Sequence, residues 1–249
     1  LKLYPRQPFA LRADNAFDYP LSSRFDESDS YVVFDNVFVP WELVFIYRNI
    51  EVSRDQWWKT TAHTLGNHQA QVRYVTKLRF MIGLAQRMNE MTGNAAAPPV
   101  QVMMGELAAL VTIYESMLLA QEIVAPIKNG VLWPSPVTLY SAMAMQSEFN
   151  GRMLEMIREL AGGAFITLPS SLADLESPQT APDVERYMRS ASTDAQSKVA
   201  LMRLLWDFLG SEFGSRHQQY EKIYGGAAFL VKTNVYRNFD WQRGGALVD

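Results

Sequence analysis

The chain has 249 residues, of which 48% are hydrophobic and 20% charged, so it can bury a core, and disorder is excluded. Its 23 Lys and Arg residues against 26 Asp and Glu residues give a net charge of −3 without a dense basic stretch, which argues against nucleic-acid binding. Cysteine is absent, which excludes disulfides, thiolate catalysis and Cys-ligated metal centres in this segment. No apolar run approaches the ~20 residues of a membrane span, and the N-terminus lacks an initiator Met and a signal-peptide pattern. We therefore expect a soluble, cytoplasmic protein without membrane partners, and we expect the chain to be a fragment of a longer one.

The first fifty residues, punctuated by Pro, Asp and Ser, predict a β-rich edge. Apolar stretches at 31–34 and 37–39 predict two strands joined by a tight turn at Asp35-Asn36, because these side chains tolerate left-handed dihedrals. Two strands alone are not stable in water, so we expect their partner strands upstream of Leu1. Residues 41–46 are compatible with either a helical turn or a strand.

From about residue 54 the apolar residues recur with the period of helices. The predicted helices cover residues 54–91, 98–126, 138–160, 184–188 and 193–224. Stretches of ~30 residues make helices ~45 Å long, which suit an antiparallel bundle. The predicted fold class is therefore mainly α, with the end of a β domain at 1–50 and a helical domain with a C-terminal tail at 51–249.

Two glycine pairs end predicted helices and are candidate ligand sites. Gly162-Gly163 follows the helix at 138–160, and Gly225-Gly226 lies between Tyr224 and Ala227. Without a Cβ, paired glycines allow backbone amides to approach a ligand such as a pyrophosphate or a flavin edge. Both pairs are also expected as plain helix stops, and the two interpretations are compatible.

The polar side of the first long helix carries another candidate, Asn67-His68-Gln69 followed by Arg73. Arginine offers a planar fork for phosphate oxygens, and glutamine offers both a donor and an acceptor. The alternative is that His68 caps or packs the helix. His63 and His68 are five residues apart, which misses the i,i+4 spacing of two ligands on one helical face, so no metal site is expected.

Other familiar site patterns are weak or missing. Asp26, Glu27 and Asp29 lie beside Arg24, but an acidic cluster on a strand edge is more often solvated or ion-paired than catalytic. The chain has no Gly-x-Gly-x-x-Gly after a strand, no Walker A pattern and no Gly-x-Ser-x-Gly elbow. Rossmann, P-loop and serine-hydrolase sites are therefore excluded.

Several stretches resemble the 4-hydroxyphenylacetate 3-hydroxylase family, the oxygenase components of two-component, FADH2-dependent aromatic monooxygenases. The stretches are Ser23–Glu27, Phe34–Glu42, Glu159–Gly163, Leu168–Ser171, Leu205–Arg216 and Tyr236–Trp241. The last of them most resembles the branch that acts on phenols and on chlorinated or nitrated phenols. Family members extend further at the N-terminus, so only the end of their middle β-barrel domain and their C-terminal bundle are expected in this chain.

The resemblance implies an acyl-CoA-dehydrogenase-like architecture with a C-terminal four-helix bundle, assembled as a homotetramer through that bundle. It implies FAD, supplied as FADH2 by a separate flavin reductase, with O2 as co-substrate and a phenol hydroxylated through a C4a-hydroperoxyflavin. Tyr224-Gly225-Gly226-Ala227 matches the family's C-terminal FAD-binding loop. A looser likeness to acyl-CoA dehydrogenases places Arg73 and Gly162-Gly163 at the pyrophosphate or adenosine end of the flavin. The family's substrate-binding Arg, Tyr and His precede this segment, so no catalytic residue is assigned and the fragment alone is expected to be inactive.

Two other functions stay open from the sequence. One is an acyl-CoA dehydrogenase-type or dehydratase-type flavoprotein, which would need a carboxylate base on the bundle, with Glu106, Glu115 and Glu122 as candidates. The related 4-hydroxybutyryl-CoA dehydratases use cysteines and a histidine around an iron–sulfur cluster, whereas this chain has no cysteine. The other is a non-catalytic oligomerisation fragment.

Overall fold

Long helices dominate residues 1–248, which the computed structural model describes, and the mainly α prediction is confirmed. The helices are α1 (Ser22–Phe25), α2 (Ile50–Lys59), α3 (Ala62–Thr92), α4 (Pro98–Ile123), α5 (Pro136–Ala161), α6 (Ala173–Glu176), α7 (Ala181–Met188), α8 (Ala195–Leu209), α9 (Glu212–Ile223), α10 (Ala228–Asn238) and α11 (Trp241–Gly245). The strands pair antiparallel, β1 (Lys2–Pro5) with β2 (Ser30–Val33) and β3 (Ile127–Lys128) with β4 (Val131–Leu132). Short 3-10 helices cover Phe9–Leu11, Trp41–Leu43 and Gly162–Phe165.

The predicted hairpin of strands 31–34 and 37–39 is wrong. β2 does form, but it pairs with β1, where Tyr4 lies opposite Tyr31, so its partner lies downstream of Leu1. Asn36 takes a left-handed φ of 47°, as expected for a tight turn, but the chain then leaves the sheet and enters the 3-10 helix at Trp41–Leu43. The assignment of this region to the end of a barrel stays a prediction.

Two of the predicted long helices are each divided in two. The predicted helix at 54–91 is broken after α2, where the Thr60 hydroxyl donates to the Gln56 carbonyl and accepts from the Ala62 N–H. The predicted helix at 193–224 is broken between α8 and α9. A Cβ on Gly214 would clash with the Phe208 carbonyl oxygen, so glycine permits the close backbone approach that this break requires.

The chain divides into two compact units, and unit 1 comprises residues 1–50, 84–101 and 157–217. Within it, the fully buried Asp207 of α8 accepts hydrogen bonds from the N–H groups of Leu21 and Ser22, both at 2.8 Å, and from the Ser22 hydroxyl at 3.1 Å. Asp18 accepts from the Leu172 N–H at 2.8 Å. Buried carboxylates therefore fix the irregular N-terminal segment to the helices of unit 1.

Asp26, from the acidic cluster singled out in the sequence, is a further anchor of unit 1. It pairs with Arg6 at 3.0 Å and with Arg216 at 3.2 Å, rather than with Arg24. Burial acts to raise the pKa of Asp26, but the hydrogen bonds from Arg6, the Phe9 N–H and Arg216 lower it overall. The ion-paired interpretation of this cluster is thus confirmed for Asp26.

Unit 2 comprises residues 51–83, 102–156 and the chain from 218 onward. Its core contains large, fully buried side chains that include Tyr74, Leu78, Tyr114 and Leu139. The rings of Tyr74 and Tyr114 meet edge to face with centroids 4.8 Å apart. Polar groups of α3, α4 and α5 are buried beside this core and lead to the candidate site.

Helix α4 has an apolar face that is largely uncovered, and it corrects one sequence expectation. By length and composition α4 is able to span a membrane, with a mean hydropathy of 1.5 over an 18-residue window of which only 17% is buried. The search for an uninterrupted apolar run of ~20 residues did not detect α4, because Glu106 and Glu115 interrupt its apolar residues.

We expect Asp207→Ala to lower the free energy of unfolding by about 3 kcal/mol, because three buried donors lose a charged acceptor. Urea unfolding followed by circular dichroism measures this loss. Glu185→Ala on the exposed side of α7 is the matched control and should be nearly neutral. Equal stability of the two variants would contradict the anchoring role of Asp207.

Candidate functional site

The turn Tyr224–Ala227 connects α9 to α10 and forms one wall of the candidate site. Gly226 has a φ of +106°, a conformation that residues with a Cβ rarely adopt, and its N–H bonds the Ile223 carbonyl at 2.9 Å. A Cβ on Gly225 would lie 3.0 Å from the terminal methyl of Met143. Gly226 is therefore required by its backbone conformation, and a side chain at Gly225 would press on Met143. The middle of the turn carries no side chain.

Glu221, one helical turn before these glycines, holds two cations of α3. Its side chain is only 1% exposed, and it pairs with both Arg73 and Lys77. The guanidinium of Arg73 is bidentate, with Nη2 donating to Oε2 at 2.9 Å. Burial of a charge is costly unless it is paired, so these cations are what allow the carboxylate to lie there.

The pKa shifts in this cluster follow from burial and charge. Burial acts to raise the pKa of Glu221, but hydrogen bonding and charge from Arg73 and Lys77 lower it overall. For Lys77, burial outweighs the attraction of Glu221, so the pKa of Lys77 is lowered. For Arg73, burial acts to lower the pKa, but the hydrogen bond to Glu221 outweighs it, so the pKa of Arg73 is raised. With two cations on one carboxylate, the cluster retains one positive charge.

A buried chain of hydrogen bonds leads from the core to Glu221. The Tyr114 hydroxyl of α4 donates to Gln71 Oε1, and Gln71 Nε2 of α3 donates to Gln146 Oε1 at 3.1 Å. Gln146 Nε2 of α5 then donates to Glu221 Oε2 at 2.9 Å and to the Glu221 carbonyl at 3.1 Å. Side chains from four helices therefore fix the Glu221 carboxylate in one orientation.

Two tyrosines flank the cluster on its exposed side. The rings of Tyr220 and Tyr224 stack with centroids 4.6 Å apart, and the Arg73 guanidinium lies 4.8 Å from the centre of the Tyr220 ring. Burial and the hydrogen bond between Tyr220 and Tyr224 raise the pKa of Tyr220 to about 12. A positive charge, planar aromatic rings and two adjacent glycines together suit a planar, anionic ligand.

Comparison with known proteins identifies the family. A family model described as the C-terminal part of 4-hydroxyphenylacetate 3-hydroxylase matches residues 53–249, and the corresponding N-terminal model matches residues 1–46. The chain belongs to the 4-hydroxyphenylacetate 3-hydroxylase family. The recognition made from sequence motifs is confirmed, whereas the domain boundary at residue 50 stays a prediction.

Several relatives of the chain are named as monooxygenases. The chain is 30% identical to a probable 4-hydroxyphenylacetate 3-monooxygenase of Bacillus subtilis, over 97% of this chain and 50% of the relative. It is 34% identical to the oxygenase component of 4-nitrophenol 2-monooxygenase of Rhodococcus sp, over 91% of this chain and 44% of the relative. The chain thus spans about half the length of the curated relatives that it matches.

Solved structures agree with this assignment. The oxygenase component of 4-hydroxyphenylacetate 3-monooxygenase, crystallised with FAD and 4-hydroxyphenylacetate, matches with a TM-score of 0.91 and 29% identity over 99% of this chain and 51% of the other. A 4-hydroxybutyryl-CoA dehydratase from N. maritimus matches with a TM-score of 0.87 at 15% identity, over 99% of this chain and 49% of the other. The second likeness shows a shared fold alone.

The structure brings part of the sequence-predicted site together. Arg73 and the turn Tyr224-Gly225-Gly226-Ala227 both lie in unit 2, and the Arg73 guanidinium is 5.8 Å from the centre of the Tyr224 ring. Gly162-Gly163 lies in unit 1, where Gly162 has a φ of +54° at the end of α5, as expected for a helix stop. The flavin contacts of all these residues stay a prediction.

Sequence reasoning missed Glu221, Lys77 and Gln146. One sequence feature could have indicated such a site: Arg73 and Lys77 are spaced i,i+4, which places two cations on one face of the helix. Two neighbouring cations favour an acidic residue packed against that face. Nothing in the sequence distinguishes Glu221 from other acidic residues, because its burial depends on contacts with α3 and α5 across ~75 to ~150 residues of chain.

Two of the three carboxylates suggested for a dehydrogenase-type reaction are ion-paired with arginines, and the third contacts a histidine. Glu106 pairs with Arg152 at 2.8 Å, and Glu115 pairs with Arg79 at 2.6 Å. Glu122 lies 3.3 Å from Nε2 of His68. The hydrogen bond from Arg152 lowers the pKa of Glu106, which is the opposite of what a general base needs. The structure therefore does not favour this alternative.

The two histidines considered for zinc are engaged separately. His68 Nδ1 lies 3.0 Å from Gln121 Oε1. His63 is buried among Trp57, Trp58 and Tyr140, and burial lowers its pKa. Among residues 1–248, no three His, Asp or Glu side chains group in a way that could hold a metal ion.

We expect Glu221→Gln to lower the free energy of unfolding at pH 7 by about 3 kcal/mol, because two partly buried cations lose their counter-charge. The pKa of Glu221 is lower in the folded than in the unfolded state, so this stability is present above the unfolded pKa. It is lost as the pH falls through the folded pKa. Urea unfolding of both proteins from pH 7 down to about pH 3 tests this dependence.

The matched control for this prediction is Glu148→Gln, which removes an exposed pair with Lys232 at 3.3 Å. Such surface pairs contribute at most about 1 kcal/mol, so its unfolding should hardly change. A wild-type advantage over Glu221→Gln that stayed constant down to the lowest pH would contradict the charged, paired state of Glu221.

Proposed function

We propose that the protein acts as the oxygenase component of a two-component monooxygenase that hydroxylates a phenol, with reduced FAD supplied by a separate reductase. The family match across nearly the whole chain carries the proposal. The activities for which the B. subtilis and Rhodococcus relatives are named support it. The proposal includes the C4a-hydroperoxyflavin route that the resemblance implies, and a cytoplasmic location.

The residues of the candidate site fit a flavin. The turn carries no side chain at Gly225 and Gly226, so a flat ligand is able to approach its backbone. The positive charge left on the Arg73–Lys77–Glu221 cluster favours the phosphates or the anionic reduced ring. When bound, reduced FAD would supply the activation of O2, and this chain's residues would bind, orient and shield it.

The proposal is tested by anaerobic titration of the protein with reduced FAD, followed by product analysis with a panel of phenols in the presence of a flavin reductase. We expect reduced FAD to bind and hydroxylated phenol to form when the N-terminal half found in the longer relatives is also present. Binding of reduced FAD without hydroxylation in that complete form would contradict the monooxygenase proposal. If the complete form showed no binding and no turnover, only the non-catalytic assembly role would remain.

The glycine turn provides a sharper variant test. Replacing Gly225 and Gly226 by Val should weaken binding of reduced FAD by at least about tenfold, because a side chain at 225 presses on Met143 and Val at 226 is strained at a φ of +106°, so the turn changes shape. Gly151→Val is the matched control, since a Cβ at this exposed position of α5 meets nothing within 4 Å. Equal affinity of a folded turn variant and the control would remove the turn from the flavin site.

We also propose that the protein self-associates through α4, consistent with the homotetramer that the resemblance implies. The exposed apolar residues of α4 are Val102, Ile113, Leu119 and Ile123. Beside them, α4 and α5 form an open, mainly apolar groove of about 360 Å³ that includes Ile113 and Ala120. Glu106 and Glu115, with their arginine partners, would be costly in hydrocarbon, which favours a second copy of the chain over a lipid bilayer.

Ile113→Glu combined with Leu119→Glu should dissociate the assembly, because each carboxylate would be desolvated in the interface. Light scattering is expected to fall to the mass of one chain, 28.3 kDa for these residues. Ile166→Glu, at an 88% exposed residue outside α4, is the control and should keep the wild-type mass. An unchanged mass in the α4 variant would contradict this interface.

A further inference from the structure

Glu221 and the glycine turn are parts of one contiguous structure. Glu221 belongs to the last turn of α9, and the turn Tyr224–Ala227 follows directly. Glu221, Gln146, Gly225 and Gly226 line the same small cavity, together with Met143. Any change in the position of Glu221 is therefore transmitted to the turn through a rigid helix end.

The contacts of Glu221 compensate the burial of its carboxylate and also hold the helix backbone beside it. Arg73 and Lys77 come from successive turns of α3, and Gln146 comes from α5 and bonds both the side chain and the backbone carbonyl of Glu221. The bond to the carbonyl satisfies an acceptor in the last turn of α9, where helices leave carbonyls without partners. These contacts fix the end of α9 in both position and direction.

The backbone beyond this fixed point takes a conformation that glycine adopts readily and other residues rarely adopt, with a φ of +106° at Gly226. Glycine also leaves the unfolded turn many alternative conformations, so the native one depends on how the ends of the turn are held. Its first end is held by Glu221, and its second end continues into α10, where Val231 is buried.

We propose that Glu221 is a positioning residue: its negative charge, held by Arg73 and Lys77, orders the Tyr224–Ala227 turn in the conformation that receives the flavin. The flavin part of this inference rests on the proposed function. Glu221 itself is buried and touches no ligand in this role, so it acts through the turn and through Arg73. The inference extends to Gln146, whose amide is oriented by Gln71 on one side and Glu221 on the other.

Two substitutions separate charge from shape. Glu221→Gln keeps the shape and removes the charge, whereas Glu221→Asp keeps the charge and shortens the side chain by one methylene. If charge positions the turn, amide hydrogen exchange at residues 224–228 should accelerate at least about tenfold in Glu221→Gln and less than about threefold in Glu221→Asp, relative to core amides of α4. The affinity for reduced FAD should fall in the same order.

Controls cover loss of folding and failure of the proposed function. Glu148→Gln on α5 removes an exposed carboxylate and should leave exchange at the turn unchanged. If Glu221→Gln does not fold, the double variant Glu221→Gln with Lys77→Met removes one unpaired cation, and the turn should still exchange fast in it. If wild-type protein binds no reduced FAD, the proposed function fails, and the exchange pattern alone decides whether Glu221 orders the turn. A larger effect of Asp than of Gln, or equal acceleration in the turn and in α4, would overturn the inference.

Discussion

The buried carboxylate of Glu221 is the constraint on which the structure of unit 2 depends. A lone carboxylate in this position would be too costly, so Arg73, Lys77 and Gln146 must all converge on it. Their convergence fixes α3 and α5 against the end of α9. The same contacts determine where Arg73 lies relative to the stacked rings of Tyr220 and Tyr224, and where the glycine turn begins. The geometry of the candidate site therefore follows from the burial of the Glu221 charge.

Unit 1 uses the same chemistry for a different purpose. Asp207 Oδ2 accepts from two backbone N–H groups and a hydroxyl of the N-terminal segment. The buried Asp26 carboxylate pairs with Arg6 of that segment and with Arg216 of α9. The β1–β2 pair is small and exposed, and it contributes little core of its own. Hydrogen bonds and ion pairs to Asp207 and Asp26 therefore hold the irregular N-terminal segment, where little apolar surface is packed. This explains why Asp26 of the acidic cluster has a structural role.

Sequence reasoning identified the helices and the family because both depend on local pattern. The apolar period located α4 and α5 to within a few residues, and short motifs, among them Glu159–Gly163 and Leu205–Arg216, led to recognition of the family. It failed where distant residues decide the outcome. Pairing of β2 with β1 links residues ~30 apart. Glu221 was missed for the same reason, since its partners lie on other helices. The break before α9 is a local exception, since it depends on the close approach of Gly214 to Phe208, and the apolar period does not report it.

The most direct test of this account is a crystal structure of the protein, in the complete form that binds flavin, determined anaerobically with reduced FAD. The account predicts flavin density against the backbone of Gly225 and Gly226, with Glu221 still paired to Arg73 and Lys77. Flavin bound elsewhere, or a Glu221 carboxylate that has released both cations while the turn keeps its conformation, would contradict it.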